Sequence, residues 1–229
     1  MKTNELYDKL VKVFEPKFLS LERNEAIVIT ETMNTKPGDF TRLDVIFKND
    51  KMFISDQLFK NSNNSFKGEP APCLNKECDG IIITEFNGKN FIILIELKSG
   101  FCSGISKGRG QLMASGFRIL TFLNCIDEFS LDDYSLCAVL ALQKPTIERL
   151  GKLVKKEEAK IELTGLDQLM KRVSIEDIVK EELTMKELLF DQLPIKPNYC
   201  STELPLFIYT VQPDKTSGML DLETLLACL

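Results

Sequence analysis

The chain has 229 residues, 44% of them hydrophobic, and carries a net charge of −5. That is enough apolar material for one substantial core, and the acidic balance argues against a nucleic-acid coat or packaging protein without excluding an enzyme whose own site is acidic. The sequence contains no histidine, which removes Ser-His-Asp and Cys-His catalysis, His-ligated zinc and histidine general bases.

Seven cysteines, odd in number and irregular in spacing, do not resemble a secreted disulfide framework. Cys137, within Leu136-Cys137-Ala138-Val139-Leu140, reads as a core residue. Cys73 and Cys78 lack the second pair that a zinc site needs. No apolar run is long enough to span a bilayer, and Met1-Lys2-Thr3-Asn4 does not open a signal peptide. The expectation is a cytoplasmic protein with no membrane partner.

In chain order, Leu6, Leu10, Val11, Val13 and Phe14 set a helical pattern over 4–14 that stops before Pro16. Residues 25–31 and 40–47 are β-rich and are separated by a Lys36-Pro37-Gly38-Asp39 turn. Residues 59–72, with Asn-Ser-Asn-Asn-Ser and two prolines, read as a loop. Two apolar β-runs then flank Asn87-Gly88, the strongest short-range signal for a hairpin, because a type I′ turn needs positive φ at both central residues. With that two-residue loop Phe86 faces Lys89, Asp79 faces Glu96 and Glu77 faces Lys98.

A glycine-rich stretch (Gly104, Gly108, Gly110) leads into a helix over 106–123. Its apolar side is Leu112, Met113, Phe117, Leu120 and Leu123, and Gln111, Ser115 and Arg118 form a polar stripe with Phe122 on the same side. Residues 134–143 are a buried-type strand ended by Lys144-Pro145. Beyond it the chain reads as mostly helical (147–160, 166–172, and 174–183 with a capping-box-like Ser174 to Asp177 start). A late strand at 205–211 and a terminal helix at 220–229 follow. With no repeat and no linker, residues 1–229 read as a single α/β domain, with a mixed sheet in a core of about 1–145 and a mostly helical extension over 146–229.

The opposed pair Asp79 and Glu96 carries the chemistry. Directly facing residues have Cβ atoms about 4.5–5.5 Å apart, where like charges repel, so a cation between them is expected. Carboxylates are hard oxygen ligands that suit Mg²⁺ or Mn²⁺ rather than zinc. Lys98, two residues from Glu96 on the same strand face, is placed to orient or help deprotonate a water and to offset charge on a phosphoryl group. A solvated hairpin end is the plainer alternative, but apolar residues on both faces of 91–95 mark a central strand. Asp44, also on an apolar strand, is the rival first acid and reads better as an edge-strand aspartate. Lys107, Arg109 and Arg118 lie in an acid-free stretch, either contacting phosphate beside the site or forming a solvated helix start. The mixed-charge run 152–160 reads as a helix face.

Asp79-Gly80, a hairpin, then Glu96-Leu97-Lys98 resembles the PD-(D/E)XK nuclease superfamily, over roughly 69–143. The resemblance implies a restriction-endonuclease-like mixed sheet flanked by helices, Asp79 and Glu96 as catalytic metal ligands, Lys98 as the catalytic lysine, and Gln111, the polar residue on the following helix, as a further catalytic residue. Cys78 stands where the family's proline precedes the aspartate. An acid from the first helix is also implied, with Glu5 and Glu15 as candidates. The expected function is a Mg²⁺-dependent (or Mn²⁺-dependent) nuclease cutting DNA, with RNA as the alternative substrate and with a homodimer or larger complex open as its assembly. The rival is a non-catalytic nucleic-acid-binding or assembly protein of the same fold. Specificity, metal number and pathway are not readable from the sequence.

Overall fold

The computed structural model describes residues 1–31, 36–60, 77–184 and 203–229; most of the loop expected at 59–72, and Cys73, lie outside them. In chain order the first half holds α1 (Thr3–Leu10), β1 (Leu19–Glu22), β2 (Ile27–Thr30), β3 (Arg42–Ile46), β4 (Lys51–Ser55), α2 (Gln57–Lys60), β5 (Gly80–Phe86) and β6 (Lys89–Lys98). It continues with α3 (Phe101–Leu123), β7 (Tyr134–Gln143), α4 (Ile147–Glu158), α5 (Gly165–Ile175), β8 (Ile178–Thr184), β9 (Glu203–Val211), β10 (Ser217–Asp221) and α6 (Leu222–Leu226).

The protein is α/β. Seven strands form a mixed sheet in the order β1-β4-β5-β6-β7-β9-β8, and β10-β3-β2 form a second, smaller sheet. From β1 to β6 neighbours are antiparallel; β6, β7 and β9 are parallel; β8 returns antiparallel to β9. The long helix α3 makes the β6-to-β7 crossover that a parallel pair requires.

The large sheet separates two apolar clusters. Ile81, Ile83, Ile92 and Leu94 pack with Leu6, Leu10, Leu112 and Leu120 on the helix side. Ile82, Ile93, Ile95 and Leu97 pack with Ile27, Ile29, Leu43, Val45 and the α6 leucines on the side of the small sheet. Residues 91–97 of β6 are all buried, the pattern of a strand covered on both faces. Glu96 and Lys98 share parity with Ile92 and Leu94, so they belong to the helix side.

The hairpin forms in the expected register, with Phe86 opposite Lys89 and Gly80 opposite Ile95, and Asn87 (φ 51°) and Gly88 (φ 76°) both occupy the left-handed region.

Two expectations after Pro145 are corrected. Residues 178–184 are a strand, not part of a helix over 174–183. Val179 and Leu183 are both fully buried, and a spacing of four falls on one face of either a helix or a strand. Ser174 is no N-cap: its Oγ donates to Lys171 O in the last turn of α5. The terminal helix over 220–229 is instead β10 followed by the short α6, which starts where Asp221 Oδ1 accepts from Glu223 N at 3.0 Å. The part after 145 thus carries strands as well as helices, and it is woven into both sheets rather than appended to them. Among the described residues no helix is long and apolar enough to cross a membrane.

Candidate active site at the end of the central hairpin

The antiparallel ladder ends at Gly80–Ile95, and Asp79 lies one residue beyond it. There its Oδ2 accepts the Leu97 N–H at 2.7 Å, which fixes the carboxylate beside β6. Glu96, next along the strand, is fully buried. Its Oε1 pairs with the Lys98 ammonium, and its Oε2 has no hydrogen-bond partner among the described residues.

A third acid completes the group. Glu31 follows β2, and single oxygens of Glu31, Asp79 and Glu96 lie within 4.8 Å of one another. Lys98 Nζ lies 3.6 Å from Glu31 Oε2. The third acid of this group therefore follows a strand of the small sheet and does not come from the first helix. Glu5 instead accepts the Lys2 N–H, and Glu15 pairs with Lys17. A signal for Glu31 existed in the sequence: Ile27 and Ile29 are buried, and the same parity carries on to 31.

Burial pushes the Asp79 carboxyl up to about 7; Lys98 and the Leu97 N–H oppose that shift, and Glu31 and Asp56 add to it. Burial also drives the Glu96 carboxyl well above the usual range, with Asp79 adding and Lys98 opposing. For Lys98, burial alone would lower the ammonium, but Glu96, Asp79 and Glu31 together outweigh it and hold it above its ordinary value. Three carboxylates and one ammonium leave two negative charges when all are ionised, in a setting where uncompensated charge is costly. An oxygen-rich group with that residual charge, and with one buried oxygen that has no hydrogen-bond partner among the described residues, fits a hard divalent cation such as Mg²⁺ or Mn²⁺.

Helix α3 supplies the floor. An ideal Cβ at Gly108 would lie 2.4 Å from Leu140 Cδ1 and 3.5 Å from Glu96 Cγ, and one at Gly104 would lie 2.8 Å from Lys98 Cβ. These glycines let the helix backbone rest on β6 and β7 directly beneath the site.

The polar stripe of α3 also points inward. Ser115 and Arg118 are buried, and Phe122 stacks edge-on with Phe14 at 5.5 Å. Gln111 Nε2 donates to Glu77 O at 2.8 Å, so it holds main chain rather than facing the acids. Arg109 donates to Glu182 O at 2.7 Å, and Lys107 is exposed. Only Lys107 of the three cations stands open to an incoming phosphate. Asp44 pairs with Arg42 at 2.9 Å on the small sheet and is no part of the acid group. Burial raises the Cys78 thiol to about 12, so it stays protonated.

Directly after Lys98, a half-open cleft of about 390 Å³ is lined by Ser99, Gly100, Gln143, Lys144 and Arg149 among others. It opens at the carboxyl ends of the parallel strands, where ligands bind in open α/β sheets.

No protein-family model, curated protein or solved structure matches the chain.

Proposed function

We propose that the protein is a divalent-metal-dependent nuclease that hydrolyses phosphodiester bonds, with DNA as its first substrate and a restriction-endonuclease-like arrangement of its core. The observation that carries this reading is Glu96: a wholly buried carboxylate with an oxygen that has no hydrogen-bond partner among the described residues, gathered with Asp79 and Glu31 beside a lysine. A buried acid in such company is costly to the fold, and a bound cation relieves that cost.

Asp79, Glu96 and Glu31 would hold Mg²⁺. When bound, the ion supplies Lewis-acid polarisation of a phosphoryl oxygen and an acidified water. Lys98 stays protonated at neutral pH because three carboxylates surround it. Its role is therefore that of an ammonium that orients the attacking water and offsets charge on the phosphoryl oxygens, not of a free-amine base. The Leu97 N–H keeps Asp79 in place while substrate enters from the cleft beside Ser99 and Gly100.

The test is cleavage of supercoiled plasmid and of a labelled RNA with Mg²⁺ or Mn²⁺, with EDTA and Glu96→Gln as controls. Metal-dependent nicking that Glu96→Gln abolishes is the expected result. A wild type that binds both metal and nucleic acid yet cuts neither substrate would overturn the enzymatic reading in favour of a binding or assembly role.

A further inference from the structure

The backbone just before Asp79 is not held by its own sheet. Pairing of β5 with β4 and with β6 begins only at Gly80. Glu77 and Cys78 are instead bound by α3: the Cys78 N–H donates to Ser115 Oγ at 2.7 Å, and Gln111 Nε2 donates to Glu77 O at 2.8 Å. Gln111 and Ser115 are four apart and so lie on one helix face. Ser115 is 1% exposed, which leaves its hydroxyl no alternative in solvent.

The same helix gauges the opposite acid, since Gly108 sits against Glu96 and Leu140. One rigid element therefore contacts the supports of both carboxylates. Asp79 is reached through the main chain of the two residues before it, and Glu96 by direct packing.

Resting on the metal-site reading above, we propose that Ser115 and Gln111 are positioning residues: by grasping the main chain of Glu77 and Cys78 they set where the Asp79 carboxylate stands relative to Glu96, and so tune the affinity of the site for its divalent cation. Neither side chain touches the metal or substrate. Groups that orient a ligand from behind commonly change metal affinity about 10- to 100-fold when removed, because a shift of a few tenths of an ångström spoils a small ion's coordination.

The experiment is Mn²⁺ titration calorimetry on the whole protein, comparing wild type, Ser115→Ala, Gln111→Leu and Thr84→Val. Thr84 is the matched control: its Oγ1 donates to Asp50 O at 2.7 Å, it is fully buried, and it lies toward the hairpin end of β5, away from Asp79. The expected result is a Kd for Mn²⁺ about tenfold weaker or more in Ser115→Ala and Gln111→Leu, with Thr84→Val unchanged. Half-maximal Mg²⁺ for cleavage rises by the same factor. Kd values within twofold of wild type in both α3 variants, or an equal loss in Thr84→Val, would overturn the proposal. Gln111 is only half-buried, so its variant keeps the question answerable if Ser115→Ala fails to fold. A wild type that binds Mn²⁺ without cleaving nucleic acid leaves the positioning role testable and overturns only the nuclease reading; a wild type that binds no Mn²⁺ overturns both.

Discussion

Lys98 Nζ lies 3.6 Å from Glu31 Oε2, although Lys98 ends the central strand of the large sheet and Glu31 follows a strand of the small one. The ammonium thereby bridges two layers of the fold and is the cation that the opposed carboxylates demand before any metal arrives. Lys98→Ala separates its chemical role from ligand binding. We expect plasmid cleavage to fall by about 10²–10³-fold, while Mn²⁺ binding by calorimetry persists or tightens because a competing positive charge is gone. Loss of metal binding in Lys98→Ala would show that the lysine shapes the site rather than acting in the reaction.

Glu31 is the acid that decides whether the small sheet belongs to the catalytic unit. Glu31→Gln should weaken Mn²⁺ binding by about tenfold, on the order of 1.4 kcal/mol, and Glu96→Gln by more, because Glu96 is the fully buried member. Equal binding by wild type and Glu31→Gln would reduce the set to Asp79 and Glu96.

The raised Asp79 carboxyl makes a signed prediction for the metal-free protein. Its unfolded value is about 3.9 and its folded value about 7, so the folded state holds the proton more tightly. The penalty for ionising it is absent below about pH 4, grows as pH rises, and is complete above about pH 7. Asp79→Asn should therefore raise the Tm relative to wild type at pH 8 but not at pH 4. Because Asp79 keeps some contact with water, we expect about 1–2 kcal/mol rather than the full linkage value, which is about 2–8 °C for a chain of this size. A Tm difference independent of pH would contradict the shifted carboxyl.

Gly104 tests how closely α3 must approach. An alanine Cβ there would stand 2.8 Å from the Lys98 Cβ, an atom near the backbone with little freedom to retreat. Alanine favours helix by about 1 kcal/mol over glycine, yet overpacking should win and Gly104→Ala should lose about 1–3 kcal/mol by urea denaturation. A stabilised variant would mean the helix can lift off β6 freely.

Legibility in the sequence followed how local each signal was. The Asn87-Gly88 turn fixes its own register through two positive-φ positions, so the pairing behind Asp79 and Glu96 was readable from a few residues. Strands β1 and β4 were missed because Leu19–Glu22 and Lys51–Ser55 are short, and the second begins with a lysine that is wholly buried with its ammonium donating to Phe47 O. The segment after Ile175 misled because a four-residue spacing serves helix and strand alike. Ser115 and Arg118 read only as part of a polar stripe because polarity shows that a side chain needs a partner, not whether water or Glu77 and Cys78 will provide it.

Strand β3 lies between β2, which leads to Glu31, and β10, which pairs with it in parallel from Ser217 to Asp221. The third acid is thus tied, through one intervening strand, to a segment synthesised well after the hairpin that carries Asp79 and Glu96. A nascent polypeptide that has emerged only as far as β9 already contains Asp79, Glu96 and Lys98 but lacks the strand that closes the small sheet around β3. Pairings between such sequence-distant segments form late because their loop-closure cost comes first. The full acid set is accordingly expected only once β10 has been made, after the hairpin that presents its first two members.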